Sequence, residues 1–226
     1  MRAEREAGAR LAPGARGLYE KAQRALDQVG GEGPRVSKGR MEAFSDGVVA
    51  IIITIMVLEL KVPHGTSLAS LRPLVPVFLS YVLSFVFLGI YWNNHHHLLQ
   101  AAHHVDGRIL WANLHLLFWL SLIPFATGWM GENSFAALPV ALYGTILLLA
   151  AFAYFLLSRA LVARHAADSA LARAVGHDFK ERMSLVLYVT AILVAFVEPV
   201  VSCLLYVVVA VMWLVPDRRI EKALAE

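Results

Sequence analysis

Arg40, Ser45 and Asp46 stand at one end of a segment that is otherwise almost wholly apolar. From Ala43 to Leu60 the run is 18 residues, about 27 Å of helix and close to the thickness of a bilayer's hydrocarbon core. A carboxylate there is costly unless a cation or several donors face it, so Asp46 demands partners. Arg40 lies six residues earlier on a different part of the helix wheel and is no direct pair for it. Other helices must supply the partners. The candidates are His95, His96 and His97 at the end of the second apolar run, and Asn113 or His115 near the start of the third. Such a cluster serves either as a packing network or as a path for protons or ions.

Further along the same helix, Ile51, Thr54, Ile55 and Leu58 follow the i, i+3, i+4, i+7 rule and share one narrow face. Ser45 and Asp46 point elsewhere. One account of the stripe is ordinary packing or lipid contact. The other is a pore lining: several copies around an axis would stack the Ile and Leu side chains into hydrophobic rings that gate by dewetting, while Thr54 offers hydroxyl oxygens to a passing cation. Spacing permits both.

The histidines His95-His96-His97 and His103-His104, with Asp106 close behind, raise metal binding as a question. Consecutive helical residues point about 100° apart, so three adjacent His cannot all ligate one ion. A pH-sensing role fits imidazole better. A single cysteine, Cys203, leaves no intramolecular disulfide and no multi-cysteine metal site. Gly-rich phosphate loops, His-Glu-x-x-His, the Gly-x-Ser-x-Gly elbow and acidic magnesium clusters are all missing, so no enzyme and no cofactor are expected. Trp92, Trp111, Trp119, Trp129 and Trp213 lie in or near the apolar runs and suit the interfacial aromatic belt.

The elements that must position these residues are membrane helices. Hydrophobic residues make up 58% of the 226 and charged ones 16%, with mean hydropathy +0.61, outside the range of soluble domains. Apolar runs near 43–60, 74–98, 108–130, 136–162, 183–197 and 199–215 predict an all-α membrane protein with six transmembrane helices. Glu198-Pro199 separates the last two runs. Joined, they would form roughly 50 Å of helix, too long for one crossing, so a tight hairpin is expected. With the amino terminus inside, 18 Lys and Arg fall on the cytoplasmic side and only Lys61 and Arg72 opposite. Both termini are therefore expected in the cytoplasm of a multi-pass cell-membrane protein. The pI of 9.1 reports this topology and not nucleic-acid binding.

Three regions follow. Residues 1–39 read as a mobile basic cytoplasmic tail without a cleavable signal, with a short helix around Leu18 to Val29; residues 40–216 as the six-helix transmembrane domain; and residues 217–226 as a cytoplasmic carboxyl-terminal tail.

The string Arg40-x-x-x-Phe44-Ser45-Asp46-Gly47, followed by Val-Val-Ala-Ile-Ile-Ile-Thr-Ile-Met-Val-Leu-Glu-Leu, resembles the prokaryotic branch of the transmembrane protein 175 family, potassium-permeable channels related to the animal endolysosomal channel. Tyr91-Trp92-x-x-His95-His96 and Leu120-Ser-Leu-Ile-Pro-Phe-Ala-Thr127 extend the likeness, which covers residues 38 to about 216. The resemblance implies six helices per subunit, the first lining the pore, no re-entrant selectivity-filter loop, and a homotetramer in the bilayer. Carried over by position, it puts the hydrophobic constriction on Ile51 with further rings at Ile55 and Leu58, and selectivity on Thr54. It places Arg40, Phe44, Ser45 and Asp46 in an interhelical network that holds the pore helix. A Thr ring with Ile constrictions lacks a carbonyl cage, so the expected preference for potassium over sodium is weak, with caesium and rubidium also passing. The alternatives are a secondary transporter, a pH-sensitive proton-permeable protein using the Asp46 and His groups, and a membrane-bound enzyme or metal-binding protein using the His cluster.

Overall fold

The structure is a computed structural model that describes Lys21 and residues 38–100, 102, 105–163 and 178–214. The helix expected at Leu18 to Val29, His103 and His104, and the terminal tails lie outside the described residues, apart from Lys21 and residues 38–39. The helices below all belong to the unit Ser37–Glu226. They are α1 (Lys38–Leu58), a 3-10 segment (Leu68–Leu74), α2 (Val75–Gln100), α3 (Gly107–Ser121), α4 (Ile123–Glu132), α5 (Ala137–Val162), α6 (Asp178–Val194) and α7 (Pro199–Leu214). Among the described residues four segments are long and apolar enough to cross a membrane: Lys38–Leu58, Leu68–Gln100, Gly107–Glu132 and Ala137–Val162.

The last two helices are shorter and form the expected hairpin. Ser202 Oγ donates to Ala191 O at 2.8 Å near the turn, and Trp213 Nε1 donates to Ser184 Oγ at 2.7 Å near the open end. Pairing 191 with 202 and 184 with 213 is antiparallel. Pro199 opens α7, where its missing N–H costs nothing.

Two boundaries differ from the sequence reading. The first helix starts at Lys38 and stops at Leu58, so Arg40 lies within its first turn, ahead of the apolar run. The third apolar run is two helices and not one. Pro124 has no N–H to give to Leu120 O and its ring crowds that carbonyl, so α3 closes on Leu122, whose N–H turns back to Leu120 O and Trp119 O, before α4 begins. At the other end of α3, Asp106 caps the helix by accepting from the N–H groups of Arg108 and Ile109, both at 3.0 Å.

One core runs through all seven helices; among α2, α5, α6 and α7 the rings of Phe87, Tyr143, Tyr188 and Tyr206 pack edge-on or tilted with centroids 5.7 to 6.5 Å apart. Tyr206 reaches Val140 O at 3.1 Å across the face of Gly144, a position that any Cβ would fill. Gly131 plays the same part between α4 and α2, since a Cβ there would come within 2.7 Å of Val77 Cα.

Candidate permeation surface and polar network

Helix α1 has two faces of different kind. Met41, Ser45, Val49, Ile52 and Met56 recur every three or four residues and are buried against the rest of the subunit. On the other face Ile51 is 57% exposed, Ile55 44% and Leu58 77%, with Thr54 exposed beside them. Among the described residues nothing covers that stripe. Thr54 Oγ1 lies 3.0 Å from Ala50 O and 3.0 Å from Ile51 O, and its one proton is held by these backbone carbonyls. The hydroxyl oxygen therefore keeps its capacity to accept.

Among the expected polar partners, the structure joins Ser45, Asn113 and His95 into one buried chain across α1, α3 and α2. His95 Nε2 meets Asn113 Oδ1 at 2.7 Å, Asn113 Nδ2 meets Ser45 Oγ at 2.9 Å, and Ser45 Oγ meets Met41 O at 2.8 Å. An amide oxygen and a peptide oxygen only accept, so every proton points one way: His95 donates to Asn113, Asn113 to Ser45, and Ser45 to the backbone. His95 must carry its proton on Nε2.

Asp46 belongs to a second, exposed set. Its Oδ1 accepts from Trp92 Nε1 at 2.9 Å, Trp92 stacks on His96 with centroids 5.9 Å apart, and His96 shares a hydrogen bond of 2.9 Å with Gln100. Arg40 and Phe44 are exposed, and Arg40 makes no side-chain hydrogen bond or ion pair among the described residues. His115 is apart from both sets: it accepts from Trp119 Nε1 at 2.9 Å one turn along its own helix. His97 sits edge-on to His96 at 5.7 Å.

Sequence reasoning missed Trp92 as the donor to Asp46. Its indole N–H near the end of α2 is the available signal, but position alone suits it equally to the interfacial aromatic belt. It also missed a buried hydroxyl cluster deeper in the bundle, where Ser84 meets Thr127 at 2.6 Å and Tyr143 at 3.1 Å, tying α2 to α4 and α5. At the far end, Lys61 Nζ reaches Glu132 Oε1 at 2.6 Å and joins the loop after α1 to the end of α4. That hydrogen bond and the carboxylate's charge raise the Lys61 pKa above its ordinary 10.5. Among the described residues no group of three or more His, Cys, Asp and Glu converges as a metal site would.

Residues 40–124 match the family model described as the endosomal/lysosomal potassium channel TMEM175. A protein of Chryseobacterium sp. (strain P1-3), named as a potassium channel, is 55% identical over 191 residues, which span 84% of this chain and 100% of that protein. The chain belongs to the TMEM175 family.

The crystal structure of a lysosomal potassium-selective channel TMEM175 homolog from Chamaesiphon minutus superposes with a TM-score of 0.68 at 29% identity, covering 78% of this chain and 96% of that one. Human TMEM175, named as an endosomal/lysosomal proton channel, is 40% identical over 75 residues, 28% of this chain and 15% of its own length. The TMEM175 relatives are ion channels and not enzymes. With four helices long enough to span and relatives of this kind, the chain is a multi-pass membrane protein.

Proposed function

We propose that this chain is the subunit of a homotetrameric, potassium-permeable cation channel with α1 lining the pore. One observation carries the proposal: α1 buries one face in its own subunit and leaves Ile51, Thr54, Ile55 and Leu58 uncovered on the other. Four such stripes turned on a common axis form stacked rings. Ile51 is the narrowest, a hydrophobic constriction that stops ions when it dries, with Ile55 and Leu58 as further rings. The names of the bacterial relatives support potassium as the permeant ion.

Thr54 sets the selectivity. Its hydroxyl proton is engaged by the backbone, so each subunit turns one acceptor oxygen toward the axis. Four hydroxyl oxygens replace only part of a hydration shell, and the preference for potassium over sodium is weak, with rubidium and caesium also conducted. No re-entrant filter loop contributes. The α6 and α7 hairpin supplies the fifth and sixth crossings, and the excess of Lys and Arg holds both termini in the cytoplasm. Ser45, Asn113 and His95, and Asp46 through Trp92, serve to hold the pore helix and lie off the ion path. No cofactor takes part.

Liposomes loaded with potassium and holding the purified protein test this reading. Passive potassium flux without any coupling ion is expected, and a purified oligomer that passes none contradicts it. The human relative's name brings in a proton-permeable reading. A pH-sensitive dye in the same liposomes separates the two currents.

A further inference from the structure

A cavity of about 350 Å³ lies between α2, α5, α6 and α7, a region that the ion path does not use. Helix α2 turns Trp92 toward α1, where it meets Asp46, but it turns Tyr91 toward α5, where its hydroxyl donates to Leu147 O, and Tyr154 of α5 donates to the backbone carbonyl of Asn94. The cavity is lined by the second set, so it stands on a different side of α2 from the pore stripe.

Its body and its mouth differ in chemistry. Phe87, Ile90, Phe152 and Tyr188 wall the body, and Phe152 and Leu185, each about half exposed, leave it open sideways where acyl chains pack. Arg159, Arg182 and Glu181 line the other end, and the Arg159 guanidinium rests over the Phe155 ring at 5.1 Å. Among the described lining residues, two guanidinium groups and one carboxylate stand at that end. From Phe152 to Arg159 is seven residues of α5, about 10 Å of helix, so the apolar part extends two turns inward from the charges. Arg159 near the end of α5, Arg182 near the start of α6 and Trp213 near the end of α7 all belong to the membrane face with most of the basic residues.

We infer that this cavity is a binding site for an anionic phospholipid of that leaflet, one acyl chain lying along Phe152 and Tyr188 and the phosphate held by Arg159 and Arg182. A basic mouth over an apolar slot between membrane helices matches both halves of such a lipid. A zwitterionic lipid offers the same chain, but its ammonium group cancels the charge that the two arginines select.

Native mass spectrometry of the delipidated oligomer, offered phosphatidylglycerol and phosphatidylcholine with the same chains, reads the preference directly. The wild type is expected to retain phosphatidylglycerol about thirtyfold over phosphatidylcholine, the scale that two arginines near a surface supply. The double variant Arg159→Gln/Arg182→Gln should retain both lipids alike, and Arg159→Lys/Arg182→Lys should keep most of the preference. Equal retention by the wild type, or an undiminished preference in the Gln variant, overturns the inference. A measurement that needs no arginine change is quenching by phosphatidylglycerol brominated on its acyl chains. The fluorescence lost on adding it should be larger in the wild type than in Trp213→Phe. Equal losses would mean that protein, a second copy included, fills the cavity in place of lipid. None of these readouts depends on ion flux, so the result stands or falls apart from the channel reading.

Discussion

The side-chain amide of Asn113 on α3 donates to the hydroxyl of Ser45 on α1 at 2.9 Å, and both residues are buried. Because Asn113 also accepts from His95 on α2, this single amide joins three helices at the point where the first of them begins to turn its Ile stripe outward. Replacing it by Leu leaves the His95 N–H without its acceptor and Ser45 Oγ without a donor. Asn113→Leu is expected to destabilise the fold by about 2 kcal/mol, the cost of buried polar groups left unpaired. Thermal unfolding in detergent, followed by loss of helical circular dichroism, measures it.

The neighbouring pair is exposed and should matter less. Trp92→Phe keeps a ring over His96 but removes the N–H that meets Asp46. Water can replace that donor, so a loss of about 1 kcal/mol or less is expected in the same assay. A loss as large as that of Asn113→Leu would show Asp46 to be shielded in the assembled protein.

Lys61 and Glu132 give a pH dependence with a definite sign. The folded state raises the lysine's pKa above 10.5, so the stabilisation is fully present below that value and is lost as pH climbs through the higher folded one. The wild type should therefore be more stable than Glu132→Gln at pH 8, with the difference shrinking above pH 10.5 and in high salt. Melting temperatures of the two proteins across that range check it, and a constant gap would contradict it.

Two backbone positions between α4 and α5 and at the α4–α2 contact make opposite predictions. Ser134 has φ of 49°, in the left-handed region, so Ser134→Gly should stabilise by about 1 kcal/mol. Gly131→Ala drives a methyl onto Val77 Cα and should destabilise by about 1–3 kcal/mol. Unfolding of the pair in parallel distinguishes strain relief from close packing.

How much of this was legible beforehand depends on the range of the interaction. The apolar runs marked out the helices because hydropathy is a local property, and Pro199 marked the hairpin because proline cannot donate. Pro124 carried the same signal for the break at Leu122, but it lay inside an unbroken apolar run that concealed it. The stripe on α1 was legible as a face, whereas its exposure depended on which face the rest of the subunit chose to bury. The pairs Asp46 with Trp92 and Lys61 with Glu132 are 46 and 71 residues apart in sequence. Nothing local specifies such partners, and only the packed bundle brings them together.

Whether the α1 stripe surrounds the ion path can be read from cysteines placed along it. In a Cys203→Ser background, Ile51→Cys and Leu58→Cys are compared with Val186→Cys, an exposed position on α6, during potassium flux from liposomes exposed to a cationic methanethiosulfonate reagent. Modification at 51 and 58 is predicted to stop the flux while modification at 186 leaves it unchanged. Flux that continues after complete labelling of 51 and 58 would contradict the proposal that these residues face the pore.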